Sequence, residues 1–259
     1  MKKLAIASAL ISAVAFTGTA AHAYQAEIGA SAGLTDPDNG SSSGSFGVDG
    51  TYYFNPVQTR NSPLAEAAFL DRASNVKAEY QYDEIGDAEA HRYGVGAEYF
   101  VPNSDFYLGG KVSGHDLQDN DDFDNDLTTY AAEVGYLPAP GLLIAAGVKG
   151  WDNDRDDGVD PTLRAKYVTT LSNGKDINLE AGAAFGDLDE YNLKADYFID
   201  KTLSVGADYQ NNDLIDRSEF GVSARKFFTP QVSLEGRVGF GEAGNNDYNK
   251  FGVAAKYRF

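Results

Sequence analysis

The last ten residues of the chain alternate without a break. From Lys250 to Phe259, one face of an extended strand carries Phe251, Val253, Ala255, Tyr257 and Phe259. The other carries Lys250, Gly252, Ala254, Lys256 and Arg258. Period two is the repeat of a β-strand, whose successive side chains point to opposite faces. The pattern recurs back along the chain. Val232, Leu234, Val238 and Phe240 oppose Gln231, Ser233, Glu235 and Arg237, and Ile177, Leu179, Ala181, Ala183 and Phe185 oppose Asn178, Glu180, Gly182 and Ala184. About fourteen such segments begin near Tyr24, Gly44, Asn75, His91, Asp105, Leu127, Gly141, Pro161, Asp176, Glu190, Thr202, Arg217, Gln231 and Tyr248. Each is roughly ten residues long, the length of a tilted strand crossing a bilayer.

The connections fall into two alternating kinds. Pro102-Asn103-Ser104, Pro138-Ala139-Pro140, Ser172 to Lys175, Asp200-Lys201 and Thr229-Pro230 are short and rarely acidic. Asp119 to Asp126 and Asp152 to Gly158 are longer and acidic. Short turns at one end and longer loops at the other are the pattern of a transmembrane barrel, with the turns in the periplasm. The aromatics sort the same way. By parity Phe54, Tyr99, Phe106, Tyr136, Tyr197, Phe228, Tyr257 and Phe259 form an outward row beside the short turns. Phe46, Tyr82, Tyr93, Tyr130, Phe185, Tyr191, Tyr209, Phe220 and Phe240 form a second row near the acidic loops. Two outward rows are the girdles expected where a barrel meets lipid headgroups, whereas the core aromatics of a soluble β-protein have no reason to sort by strand end. Backbone groups need partners in hydrocarbon, so the expected fold is an all-β, closed antiparallel transmembrane β-barrel of about fourteen strands. Lys226 breaks the parity by falling on the outward side, where it either snorkels to the interface or marks a bulge.

The chain begins with Met1-Lys2-Lys3, a short apolar core from Leu4 to Phe16, and Ala21-His22-Ala23. That is the pattern of a cleaved signal peptide over residues 1–23, with the barrel occupying residues 24–259. Cysteine is absent, which suits an exported protein without disulfides. The net charge of −18 speaks against nucleic-acid binding.

Inward parity gives the expected pore lining. Its bases are Lys77, Arg92, Lys111, Lys149, Arg164, Lys166, Lys194, Arg225, Arg237, Lys250, Lys256 and Arg258. Its acids are Glu27, Asp49, Glu79, Glu98, Glu133, Glu180, Asp196, Asp208, Glu219 and Glu235. The signs nearly balance, so the excess negative charge belongs to the external loops. A modest aqueous pore for polar solutes follows, with a weak cation preference contributed by the loop aspartates. A lumen filled by interlocking salt bridges is the competing reading.

One connection is too long for a turn, the stretch from Asn55 to Ala73. Ser62 is placed to cap a short helix with Pro63 at its first position. Leu64, Phe69 and Leu70 need cover from water, and the periplasmic mouth of the barrel is the nearest surface, so these three are expected to constrict it. The run YYFNPVQTRNSPLAEAAFLDRASNV, from Tyr52 to Val76, resembles the hallmark stretch of the putative general porin family of Gram-negative bacteria. Its sharp core is Pro63 to Leu70, and the terminal KYRF is similar to the outer-membrane assembly signal, with Tyr257 and Phe259 as its aromatics. The resemblance implies a passive outer-membrane channel for small hydrophilic molecules, surrounded by outer-membrane lipids and lipopolysaccharide and inserted by the barrel-assembly machinery. No cofactor is implied, and the lack of a long latching loop suggests a monomer.

Two other functions are weighed. An outer-membrane hydrolase needs a histidine beside a nucleophile. After the leader only His91 and His115 remain, and parity sends them to opposite faces, with Ser113 and Asp116 near His115. No enzyme is expected. A structural or partner-binding barrel without an open pore is the remaining alternative, but its loops offer only Phe123 and Trp151 as aromatic anchors. Asp152, Asp154 and Asp156 alternate like calcium ligands, yet Asp157 stands where an EF-hand requires glycine, and no metal site is assigned.

Overall fold

The computed structural model describes residues 23–85, 88–118, 125–153, 156–186, 189–213 and 216–259. Residues 1–22 of the expected leader, the acidic run 119–124 that includes Phe123, and Asp154 with Arg155 lie outside the described residues. The strands are β1 (Ala23–Pro37), β2 (Ser43–Gln58), β3 (Asn75–Ile85), β4 (Ala88–Phe100), β5 (Phe106–Gln118), β6 (Asn125–Ala139) and β7 (Leu142–Asn153). They continue as β8 (Asp157–Thr170), β9 (Asp176–Ala184), β10 (Glu190–Asp200), β11 (Leu203–Asn212), β12 (Arg217–Phe227), β13 (Val232–Ala243) and β14 (Asn246–Arg258). Each pairs antiparallel with its sequence neighbours, and β1 pairs with β14, so the sheet is a closed fourteen-stranded barrel.

The seam shows why closure is complete. Its register runs from Glu27 opposite Arg258 to Pro37 opposite Tyr248. Beyond the last pair, the Gln25 and Ala26 amides donate to the terminal oxygen of Phe259 at 2.8 and 2.9 Å, and the Phe259 amide donates to the Ala26 carbonyl at 2.9 Å. The chain end is thus built into the ladder.

Period-two alternation places an apolar surface outside. Val76, Val95, Val112, Val134, Leu163, Leu193 and Val253 are exposed at mid-height, with Phe54, Tyr99, Phe106, Tyr136 and Phe228 exposed below and Tyr93, Tyr130, Tyr191, Phe220 and Phe240 above. Water would oppose this arrangement and lipid favours it. Tyr257 shares the outward parity but is covered, its ring stacked 5.9 Å from that of Phe259. Lys226 also faces outward, with no bulge in its pairing, and its ammonium reaches back to the Thr202 hydroxyl at 2.6 Å. It snorkels into the β10–β11 turn.

Three local expectations change. The acidic connections are shorter than the sequence suggests, because strands run on into them. β7 continues to Asn153 and β8 begins at Asp157 rather than Pro161, while residues 244–245 alone join β13 to β14. A hairpin needs only a two-residue turn, and aspartates on either face of a protruding hairpin stay hydrated. Pro161 fits inside β8 because β9 has ended there: Thr162 is the last residue paired, opposite Ala184. Trp151, expected in a loop, lies buried inside the barrel against Ala184 and Leu127.

Because outward positions face lipid, Val112→Arg should cost about 2–4 kcal/mol of unfolding free energy in lipid vesicles, far more than Ser113→Arg one position along on the inner face. Equal costs in a denaturant titration would contradict the assigned faces.

Candidate functional site

The inner wall carries the charges that parity placed there, and most are paired. At the seam, Arg258 Nε donates to Glu27 at 2.5 Å, and Lys256 lies 3.1 Å from both Glu27 and Asp49. On the wall from β3 to β8, Arg164 binds Glu133 at 2.5 Å and the Tyr107 hydroxyl sits 3.1 Å from both Glu98 and Glu133. Lys77 stands 4.0 Å from Glu98. Tyr107 fits this position because Gly135 leaves it room, since a Cβ there would come 2.9 Å from the Tyr107 ring. On β10 to β13, Arg237 holds Asp208 and Glu219 at 2.5 Å each, Arg225 holds Glu235 at 2.5 Å, and Lys194 lies 3.4 Å from Asp196. Higher up, Lys149 pairs with Glu190 and Arg92 with Asp83 at 2.5 Å, and Lys111 pairs with Glu79. Lys250 borders the same space beside Arg217 and Glu219.

Above the level of the short turns this wall encloses two polar cavities of about 770 and 510 Å³. Space of that size lined by charged groups holds water. Because anions and cations alternate along the wall, its net field is small and its lining is wet without favouring one sign strongly.

The short-turn end is different, because the long connection enters the barrel. It starts at Thr59 rather than Asn55, since β2 extends to Gln58 after a register shift that sets Tyr24 opposite Val57. A 3-10 turn over Leu64–Glu66 leads into one helical turn, α1, over Ala67–Leu70. Ser62 does not cap it. Its hydroxyl donates to the Thr59 carbonyl at 2.8 Å, engaged in the turn that precedes Pro63. Asp71 ties the base together by accepting the Gln58 amide at 2.8 Å and Arg60 at 2.9 Å. Ala67 packs into a buried cluster with Tyr24, Tyr53, Val57 and Ala73. Phe69 packs against Phe100, Tyr107, Leu137 and Leu143.

Ring order shows how far the segment reaches. In fourteen strands β10 is the seventh from β3 in either direction, so the β10–β11 turn lies on the far side of the barrel, one strand from the point opposite the segment's root. Yet the Leu64 amide donates to the Lys201 carbonyl in that turn at 2.9 Å. The Leu64 carbonyl accepts Arg258 Nη1 at 2.8 Å, and Glu66 pairs with Lys166 on β8 at 2.8 Å. Lys166 also meets Glu180 at 3.0 Å and lies 4.9 Å from the Phe69 ring centre. Leu64 is therefore buried against the far side of the mouth, whereas Leu70 is half-buried near Gly141 at the rim. A cavity of about 380 Å³ remains between the segment and the wall, bounded by Ala68, Phe69, Lys77, Glu98, Tyr107 and Arg164.

Some of these residues were not among the expected lining. Glu66 lies in a stretch without alternation, so parity gave it no face. Tyr24 turns inward only through the register shift, which the sequence does not mark. Glu190 and Tyr107 do follow the inward parity, and a stricter reading of strand ends would have found them.

A closed barrel with lipid-facing girdles and a charged, water-lined interior defines an outer-membrane channel. The chain belongs to the family described as "Putative general bacterial porin", whose model matches residues 1–159. It is similar to the outer membrane protein Omp33 of Acinetobacter baumannii, with 30% identity and a TM-score of 0.71 over 92% of this chain and 99% of that one. It shares a fold with the CymD monoaromatic hydrocarbon channel, at 9% identity and a TM-score of 0.56 over 91% of this chain and 89% of that one. No curated protein matches the sequence. The family and these likenesses place the protein among Gram-negative outer-membrane channels.

The Lys166 contacts should hold the segment against β8. Lys166→Met leaves Glu66 without its partner and should loosen the segment by up to about 3–5 kcal/mol. Limited proteolysis of the folded barrel should then cut between residues 59 and 74, and Glu66→Met in the same chain should restore much of the protection. Unchanged protection in Lys166→Met would show that this pair does not hold the segment.

Proposed function

We propose that this channel conducts small hydrophilic solutes by passive diffusion, with a weak preference for cations, and that residues 59–74 narrow its periplasmic mouth. The bond from Leu64 to Lys201 on the far side of the barrel supports this most directly. Leu64, Phe69 and, at the rim, Leu70 form the constriction, and the charged wall above it is the pore lining. The ties named on the far wall, from Leu64 to Lys201 and from Glu66 to Lys166, are polar, and release of the segment widens the mouth. The short-turn end faces the periplasm, residues 1–23 are the export signal, and Tyr257 and Phe259 serve recognition by the assembly machinery. The protein works as a monomer among outer-membrane lipids and lipopolysaccharide.

Cation preference comes from the rim rather than the wall. Asp36, Asp38, Asp152, Asp156, Asp157, Asp213, Asp216 and Asp247 lie at the ends of the hairpins opposite the short turns. Their field reaches only about 8 Å at physiological salt. No catalytic role is assigned. His91 faces outward, 2.8 Å from the Tyr80 hydroxyl, while His115 lines the interior and the neighbouring Ser113 hydroxyl pairs with Thr129 at 2.9 Å.

A second reading, a structural or partner-binding barrel without an open pore, is favoured by the interlocked contacts of Glu66, Lys166 and Glu180. Replacing Ser62–Arg72 by an Asn-Gly turn separates the two. The pore reading expects a larger single-channel conductance from a barrel that still shifts on an unheated gel. No conductance from either protein would favour the closed structural barrel. Reversal potentials in a KCl gradient should show cation preference at low salt that fades as salt rises, and anion preference at low salt would mean that the wall bases dominate.

A further inference from the structure

Arg258, the penultimate residue, is buried on the inner face of the seam. Its guanidinium is sandwiched between the rings of Tyr24 and Phe227, 4.5 and 4.6 Å from their centres. Its edge donates to Glu27 through Nε at 2.5 Å and to the Leu64 carbonyl through Nη1 at 2.8 Å. We infer that Arg258 is the positioning residue for the inward segment, so that the place of the constriction is fixed by the strand that closes the barrel. This rests on the reading of residues 59–74 as a constriction.

The physical case is preorganisation. The contacts at the segment's base, Asp71 with Gln58 and Arg60 and Arg72 with Ser104 and Asp105, join the segment to itself, to β2 and to the β4–β5 turn, and so fix its root but not its tip. At the tip, the Leu64 carbonyl accepts the Ala67 amide within the 3-10 turn and, in the same buried setting, offers its second lone pair to Arg258. Arg258 presents a donor whose direction is already set by a carboxylate on one edge and an aromatic ring on each face. Arginine suits this because its planar fork serves two acceptors at fixed angles while stacking on rings, which lysine does not do. Two sequence details build the site. The register shift between Tyr24 and Ala26 swings Tyr24 inward over the guanidinium, and Glu27 is opposite Arg258 in the β1–β14 register. The Arg258 pocket is therefore completed only when β1 and β14 pair. The segment gains this donor at the same moment as the seam forms.

Arg258→Lys tests this, since it keeps a cation beside Glu27 but gives up the fork. The chain has no cysteine and Ala67 is fully buried, so Ala67→Cys reports release of the segment by its reaction with a water-soluble maleimide. In refolded barrels, Arg258→Lys should speed labelling of Ala67→Cys about tenfold, the effect of losing roughly one hydrogen bond to a charged group. The gel shift of the folded barrel should persist. Equal labelling rates in folded barrels would overturn the inference. If Arg258→Lys does not refold, Phe227→Leu removes one stacking ring without altering β14, and faster labelling there supports the inference while equal labelling overturns it. Labelling judges Arg258 separately from conductance. If replacing Ser62–Arg72 leaves conductance unchanged, the constriction reading fails, whatever the labelling shows about what holds the segment.

Discussion

Hydrocarbon offers no hydrogen bonds, so each backbone amide and carbonyl that crosses it must find its partner within the protein. Among the described residues no helix is long and apolar enough to cross a membrane, which leaves a sheet with no edge. Here the requirement is met to the last residue, where the Phe259 terminal oxygen accepts the Gln25 and Ala26 amides beyond the end of the β1–β14 register. Once the ring is closed, strand geometry decides the rest. Alternate side chains go to lipid or to the interior, and an apolar outer band demands that the polar and charged residues face each other across a lumen.

That lumen sets a second problem, since charges removed from bulk water need partners. The wall meets it with cross-strand pairs such as Arg225 with Glu235 and Arg164 with Glu133. Fourteen strands still leave the centre of the barrel beyond the reach of wall side chains, and the upper half stays open as polar cavities. In the lower half the gap is filled by backbone: residues 59–74 carry two apolar clusters in with them and end on polar contacts at the far wall. Apolar packing roots the segment on its own side, and a few directional bonds position its tip.

Period two made most of this legible in the sequence. It carried the strand count and the aromatic rows, because alternation is a direct record of lipid on one side and water on the other. What it could not carry lay where alternation stops. Tyr24 changes face at a register shift that depends on how β2 bends, not on its own neighbours in sequence. Ser62 has a capping residue's chemistry but spends its hydroxyl on Thr59, because the chain turns before Pro63. Pro161 looks like a strand start, yet β8 runs through it because its neighbour β9 is short. The apolar content of Leu64 and Phe69 showed that the long connection needed cover. Which wall residues supply that cover depended on closure, which brings Lys201, Lys166 and Arg258 to the segment.

The central claim is that the segment's seat against the β10–β11 turn limits conduction. A pair of cysteines at Leu64 and Lys201, in a chain that has none of its own, can be joined across the mouth by a short thiol cross-linker with a reducible bond. Single-channel conductance of that protein in a planar bilayer, recorded before and after reduction, tests the claim most directly. The account predicts small currents while the cross-link holds and larger ones once it is cut. Equal currents in the two states would contradict it.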